Sequence, residues 1–209
     1  MNVPGTPDTD RQMLLAHASR LIAERGEAPS RAAVASAAGI PRARVETVFP
    51  DETDLFDAVV EDWYADDIAI MEQVVATDLP IRRKFYEFFA RRFVIMREFH
   101  RSDPAALQIY VDLGSAHFER IRGYIDLADH YLSELIAQAQ DEGHFAGLSI
   151  DRALTLINQM VVCYTSPQML IQLEDRLTED KLAAIVDTLF AGLSAANGGS
   201  SGVRGLHAA

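Results

Sequence analysis

Between Ser30 and Leu55 the sequence SRAAVASAAGIPRARVETVFPDETDL leaves little choice of local fold. Ser30 is placed to cap a helix, because a serine hydroxyl accepts a hydrogen bond from a free amide of the first turn. The alanine-rich run behind it has high helix propensity, and its small side chains let a second helix come close. Gly39 falls where that helix must stop, since glycine enters the left-handed conformation without a Cβ penalty. Ile40 supplies an apolar contact and Pro41 suits the first turn of a following helix. Ala38-Gly39-Ile40 therefore reads as the turn of a helix-turn-helix, with a second helix from about Pro41 to Val48.

In such a unit the N-terminal residues of the second helix meet base edges and phosphates. Arg42 and Arg44 stand there, and Arg31 begins the preceding helix. Val45, Val48 and Phe49 share the opposite side at helical spacing and are expected to face inward. Ser30, Arg31, Pro41, Arg42, Ala43, Arg44 and Thr47 are thus the candidate DNA contacts. Two packed helices with solvated arginines satisfy the same spacing. From Ala28 to Val45 there are three arginines and no acids, yet residues 1–60 hold six arginines against nine acids. The whole chain carries 19 basic and 31 acidic residues, a formal charge of −12, so any contact with a polyanion must be local.

Residues from about 11 to 60 resemble the N-terminal domain of TetR-family transcriptional regulators. The resemblance rests on Leu14, Ala18, Leu21 and Gly26, then Ser30, Val34-Ala35 and Ala38-Gly39-Ile40, and finally Val48-Phe49-Pro50-Asp51 with Leu55-Phe56. It implies an all-α protein: an N-terminal three-helix bundle containing the helix-turn-helix, then a larger helical domain for ligand binding and dimerisation. It also implies a homodimeric, ligand-responsive repressor that binds a palindromic double-stranded operator in the cytoplasm. The family usually has an aromatic residue where Glu46 stands and a lysine where Glu52 stands, both near the DNA backbone. Two phosphate-facing positions have here become carboxylates, which a polyanion repels. The alternative is a helical dimeric module for a ligand or protein partner, with a degenerate helix-turn-helix and little DNA binding.

The remainder of the chain reads as helix throughout. Residues 8–50 are assigned to the DNA-binding domain, 51–195 to the effector and dimerisation domain, and 196–209 to a flexible tail, NGGSSGVRGLHAA after Ala196. Carboxylates at Asp51, Glu52 and Asp54 favour the positive end of a fourth helix of about 25 residues. Further helices are expected from Pro80, from Ser102, from His117 to Glu142, from Ser149 to a break near Pro167, and from Thr178. The run Met160-Val161-Val162-Cys163-Tyr164 is apolar all round, which predicts burial on several sides and an inert Cys163 thiol. That lone cysteine fits a reducing compartment. No apolar run reaches the length of a membrane span.

Aromatic side chains line most small-molecule pockets, so Trp63, Phe89, Phe93, Tyr110, Phe118 and Tyr164 are the candidate effector residues. Arg97, His100 and His117 are candidates for orienting a polar group on an effector of unknown identity. By the resemblance, the last two helices pair across a dimer through Leu154, Ile157, Val161, Leu182, Val186 and Leu189. Enzyme chemistry finds no support. There is no glycine-rich phosphate loop, no nucleophile elbow, no Cys/His metal spacing and no cofactor motif. Asp126, Asp129 and His130 share a helix face, but no second motif completes a metal site.

Overall fold

The computed structural model describes residues 7–195 and 198, and it is helical, with no strand among the described residues. The helices are α1 (Pro7–Arg25), α2 (Arg31–Ala38), α3 (Arg42–Val48), α4 (Glu52–Ala76), α5 (Ile81–Ser102), α6 (Pro104–Ala116), α7 (Phe118–Asp141), α8 (Ile150–Thr165), α9 (Pro167–Leu173) and α10 (Glu179–Leu193), with a 3-10 turn at Glu174–Arg176. All but α9 were expected. The tail from Asn197 lies outside the described residues, Gly198 excepted.

Local chemistry sets these boundaries. Ser30, Asp103, Ser149 and Thr178 each accept a first-turn amide hydrogen bond, from Ala33, Ala106, Arg152 and Lys181 respectively. Gly39 ends α2 at φ 65°, and the next amide, that of Ile40, donates to the Ala35 carbonyl at 3.1 Å. Pro167 ends one helix and opens another. Ser166 caps α9 by accepting the Met169 amide, and proline fits the first position because no amide is needed there.

The chain forms two compact units that do not follow chain order. One comprises the described residues up to Asp66 together with His100–Tyr124; the other comprises Asp67–Phe99 and the described residues from Ile125. α6, which a linear division at residue 50 assigns to the later domain, groups here with the N-terminal helices.

In the first unit, α1, α2 and α3 enclose Leu14, Ala18, Leu21, Ile22, Val34, Val45 and Phe49, closed by Leu55 and Val59 of α4 and Leu113 of α6. Burying a side chain of this size is worth about 1.5–3 kcal/mol, which outweighs any one ion pair on the surface.

The second unit is built on phenylalanine. Phe85, Phe145 and Phe190 meet with ring centroids 4.8–5.9 Å apart, and all three are buried. Phe145 reaches this cluster from the Gly143–Gly147 loop with φ 53°, an unusual conformation for a side-chain-bearing residue. Lys84 is the one buried charged residue among the described residues. Its ammonium donates to the Val75 carbonyl at 3.1 Å and to Gln138 Oε1 at 2.9 Å. Val75 lies in the last turn of α4, so the cation sits at the negative end of that helix.

Among the described residues no helix is long and apolar enough to cross a membrane.

Candidate nucleic-acid interface

The short helices α2 and α3 present a surface whose polar groups can be followed one by one. Ser30 is exposed and its hydroxyl accepts the Ala33 amide at 3.1 Å. Pro41 occupies the N-cap position of α3 and contributes no side-chain cap. Pro41, Arg42, Ala43 and Thr47 are exposed together along α3, while Val45 and Phe49 are buried beneath them. The Thr47 hydroxyl donates to the Ala43 carbonyl at 2.9 Å.

Each of the three arginines has a carboxylate partner inside the protein. Arg42 Nε donates to Glu46 Oε1 at 2.7 Å, one turn further along α3, with both side chains well exposed. Arg44 meets Asp10 of α1 through two nitrogens: Nε at 3.1 Å, and Nη2 at 2.8 and 2.9 Å from the two carboxylate oxygens. Arg31 is the most enclosed, its side chain 14% exposed. Its guanidinium donates to the Phe49 and Pro50 carbonyls and lies 3.5 Å from Glu52. Its backbone amide donates to Glu52 Oε2 at 2.7 Å. A carboxylate at the first amide of a helix occupies the place where an anionic ligand would otherwise bind.

Sequence reasoning found the arginines and paired none of them with a carboxylate. Asp10 lies 34 positions before Arg44 in the chain, and Glu52 belongs to the helix after the turn. No local pattern links such pairs. The Arg42–Glu46 pair, by contrast, is legible as an i, i+4 spacing.

The six aromatic candidates divide between the two units. In the first unit, Trp63 and Tyr110 lie 4.5 Å apart and pack on the core beneath α1–α3. Burial raises the Tyr110 hydroxyl above its ordinary pKa. Phe118 is 51% exposed, with the Arg122 guanidinium 6.0 Å from its ring. In the second unit, Phe89, Phe93 and Tyr164 are buried, with Phe93 and Tyr164 edge to face at 5.1 Å. Burial likewise raises the pKa of the Tyr164 hydroxyl, which donates to the Thr178 carbonyl at 3.2 Å. Arg97 stacks 5.0 Å over Phe93 and pairs with Glu179 at 2.9 Å. His100 is half-buried, and His117 is exposed 4.7 Å from the Phe56 ring.

Ile157, Val161, Leu182, Val186 and Leu189 are at most 2% exposed in a single chain. These five side chains are packed into the core of the single chain and present almost no surface; Leu154 is half-buried. On α8 the exposed apolar residues are Met160 and Val162, at 45% and 46%, and Cys163 is half-buried. The apolar run thus has one buried face rather than several. Asp129 accepts from Asn158 at 2.8 Å, while His130 turns to Glu134 at 3.0 Å. No group of three His, Cys, Asp or Glu among the described residues is arranged to hold a metal ion.

The family model of the tetracyclin repressor-like C-terminal domain matches residues 82–186, half of the chain. The chain belongs to the TetR family of transcriptional regulators. Solved structures of other regulators share its fold. A transcriptional regulator from Pseudomonas aeruginosa PAO1 superposes with a TM-score of 0.69 at 13% identity, covering 91% of this chain and 94% of its own. The fatty acid degradation regulator FadR from Bacillus halodurans gives 0.65 at 14%, with 91% and 97% covered. NalD, the secondary repressor of the MexAB-OprM efflux pump in Pseudomonas aeruginosa, gives 0.62 at 16%, with 88% and 97% covered. No curated protein matches the chain.

Proposed function

We propose that this TetR-family member is a homodimeric, effector-responsive repressor that binds a palindromic operator through α3. The observation that carries the reading is the exposed first turn of α3, Arg42-Ala43-Arg44, set after a left-handed glycine turn on a closed three-helix core. Two such heads read half-sites about 34 Å apart, and linking them converts modest single-site affinity into useful specificity. Met160 and Val162 are the apolar surface of α8 available to the second subunit. The effector is a small molecule taken up by the second unit beside Phe89, Phe93 and Tyr164, with Arg97 at the edge. Its binding favours one of two conformations and so changes operator affinity.

The pairing of Arg31, Arg42 and Arg44 with Glu52, Glu46 and Asp10 favours a second reading, a dimeric ligand- or partner-binding module whose helix-turn-helix no longer grips DNA. Titrating the purified protein against its own upstream DNA at several salt concentrations separates the two. The repressor gives a discrete site with a steep negative salt slope. Absence of binding above background at tens of micromolar overturns the repressor reading and leaves the second.

A further inference from the structure

The three arginines of the reading head are held in three different ways, and only one arrangement suits the reading of a base. Arg31 gives its guanidinium to two backbone carbonyls and is largely enclosed, so it braces the turn after α3. Arg42 makes a single Nε contact to a residue of its own helix, with both partners exposed, a pair that opens at little cost. Arg44 is fixed from another helix. Asp10 engages the side edge of the guanidinium through Nε and Nη2, while no hydrogen bond from Nη1 is seen among the described residues.

We propose that Asp10 is a positioning residue for specificity: from α1 it presets Arg44 as a guanine-reading arginine of α3. The inference rests on the operator-binding reading. A guanidinium is planar and carries five donors. With its side edge held by a carboxylate, its end edge keeps the two parallel donors that match O6 and N7 of guanine in the major groove. Arg44 is the third residue of α3, within the turn that enters the groove in helix-turn-helix proteins, and its side chain is 38% exposed. The Asp10 side chain is 17% exposed, which sets it behind the guanidinium. Holding Arg44 in one rotamer places the cost of ordering a long side chain on folding rather than on binding. A carboxylate so close to DNA lowers overall affinity, so the pair exchanges phosphate attraction for discrimination at one base.

Simple charge neutralisation makes a different prediction, and one experiment separates the two. The full chain, Asp10→Asn and Arg44→Lys are each used to select sites from a randomised duplex library. Affinities are then measured on the selected site and on every single-base variant over a range of salt. The wild-type protein is expected to select guanine at one position per half-site. Both substitutions should reduce discrimination at that position about tenfold and leave the other positions unchanged. Should Asp10→Asn fail to fold, as judged by circular dichroism and thermal melting, Arg44→Lys carries the same test. It keeps the charge but cannot hold Asp10 and a guanine edge together. Asp10→Asn overturns the proposal if it raises affinity equally on all sequences and steepens the salt slope by about one per subunit; Asp10 then merely withholds Arg44. Unchanged discrimination in both variants also overturns it. A wild-type protein that selects no motif has lost the operator-binding reading itself, and this proposal with it.

Discussion

The reading head and the phenylalanine core of the second unit are stabilised by opposite means. Around α2 and α3 the surface geometry is set by a capping serine, a left-handed glycine and carboxylate–arginine pairs. Around Phe85, Phe145 and Phe190, three enclosed rings packed on one another form the centre. The lesson is a separation of roles. A surface that must exchange its partners for another molecule's is held by contacts of small individual worth, whereas the body that carries it is held by burial.

Substitutions in the two regions should therefore differ in kind. The largest effect is expected from Phe85→Ala, which empties the centre of the ring cluster and should cost about 3–5 kcal/mol in denaturant unfolding. A loss below 1 kcal/mol would mean that the cluster closes over the gap. Next comes Gly39→Ala. The position has ample space for a methyl group but a φ of +65°, so conformational strain of about 1–2 kcal/mol is expected without any clash. Thermal melting gives the magnitude, and an unchanged melting point would show that the turn relaxes. Ser30→Ala removes the α2 cap and should cost about 1 kcal/mol, read by the same melts. The smallest effect belongs to Arg42 and Glu46. A double-mutant cycle to alanine should return a coupling of about 0.3–0.5 kcal/mol in stability. Arg42→Ala alone should flatten the salt dependence of operator binding by about one unit of slope per subunit. A large stability coupling with no change in slope would make Arg42 a structural residue and erase the contrast.

How much of this was legible in the sequence follows the same division. Caps, turns and apolar spacing are local, so the helix-turn-helix, its core and the order of nine helices could be read directly. The start of α9 was also written in Ser166-Pro167, which serves as a stop and a start at once. Pairings between distant positions were not legible: Asp10 with Arg44, Glu52 with the first amide of α2, Lys84 with the end of α4. Aromatic content identified residues of bulk but could not say which of them would share a cavity. Trp63 and Tyr110 support the head, Phe93 and Tyr164 fill the second unit, and Phe118 faces water. The apolar run 160–164 misled because hydrophobicity alone does not say which side chains a helix turns inward, as it does Val161 and Tyr164, and which it leaves exposed, as it does Met160 and Val162.

Glu52 is the first residue of α4, yet its carboxylate receives the first amide of α2. The first residue of one helix thus holds the beginning of another. In hydrogen–deuterium exchange the amide of Arg31 should report the fraying of a helix to which it does not belong. Its protection should fall with Glu52→Gln, while the amides in the middle of α2 keep theirs.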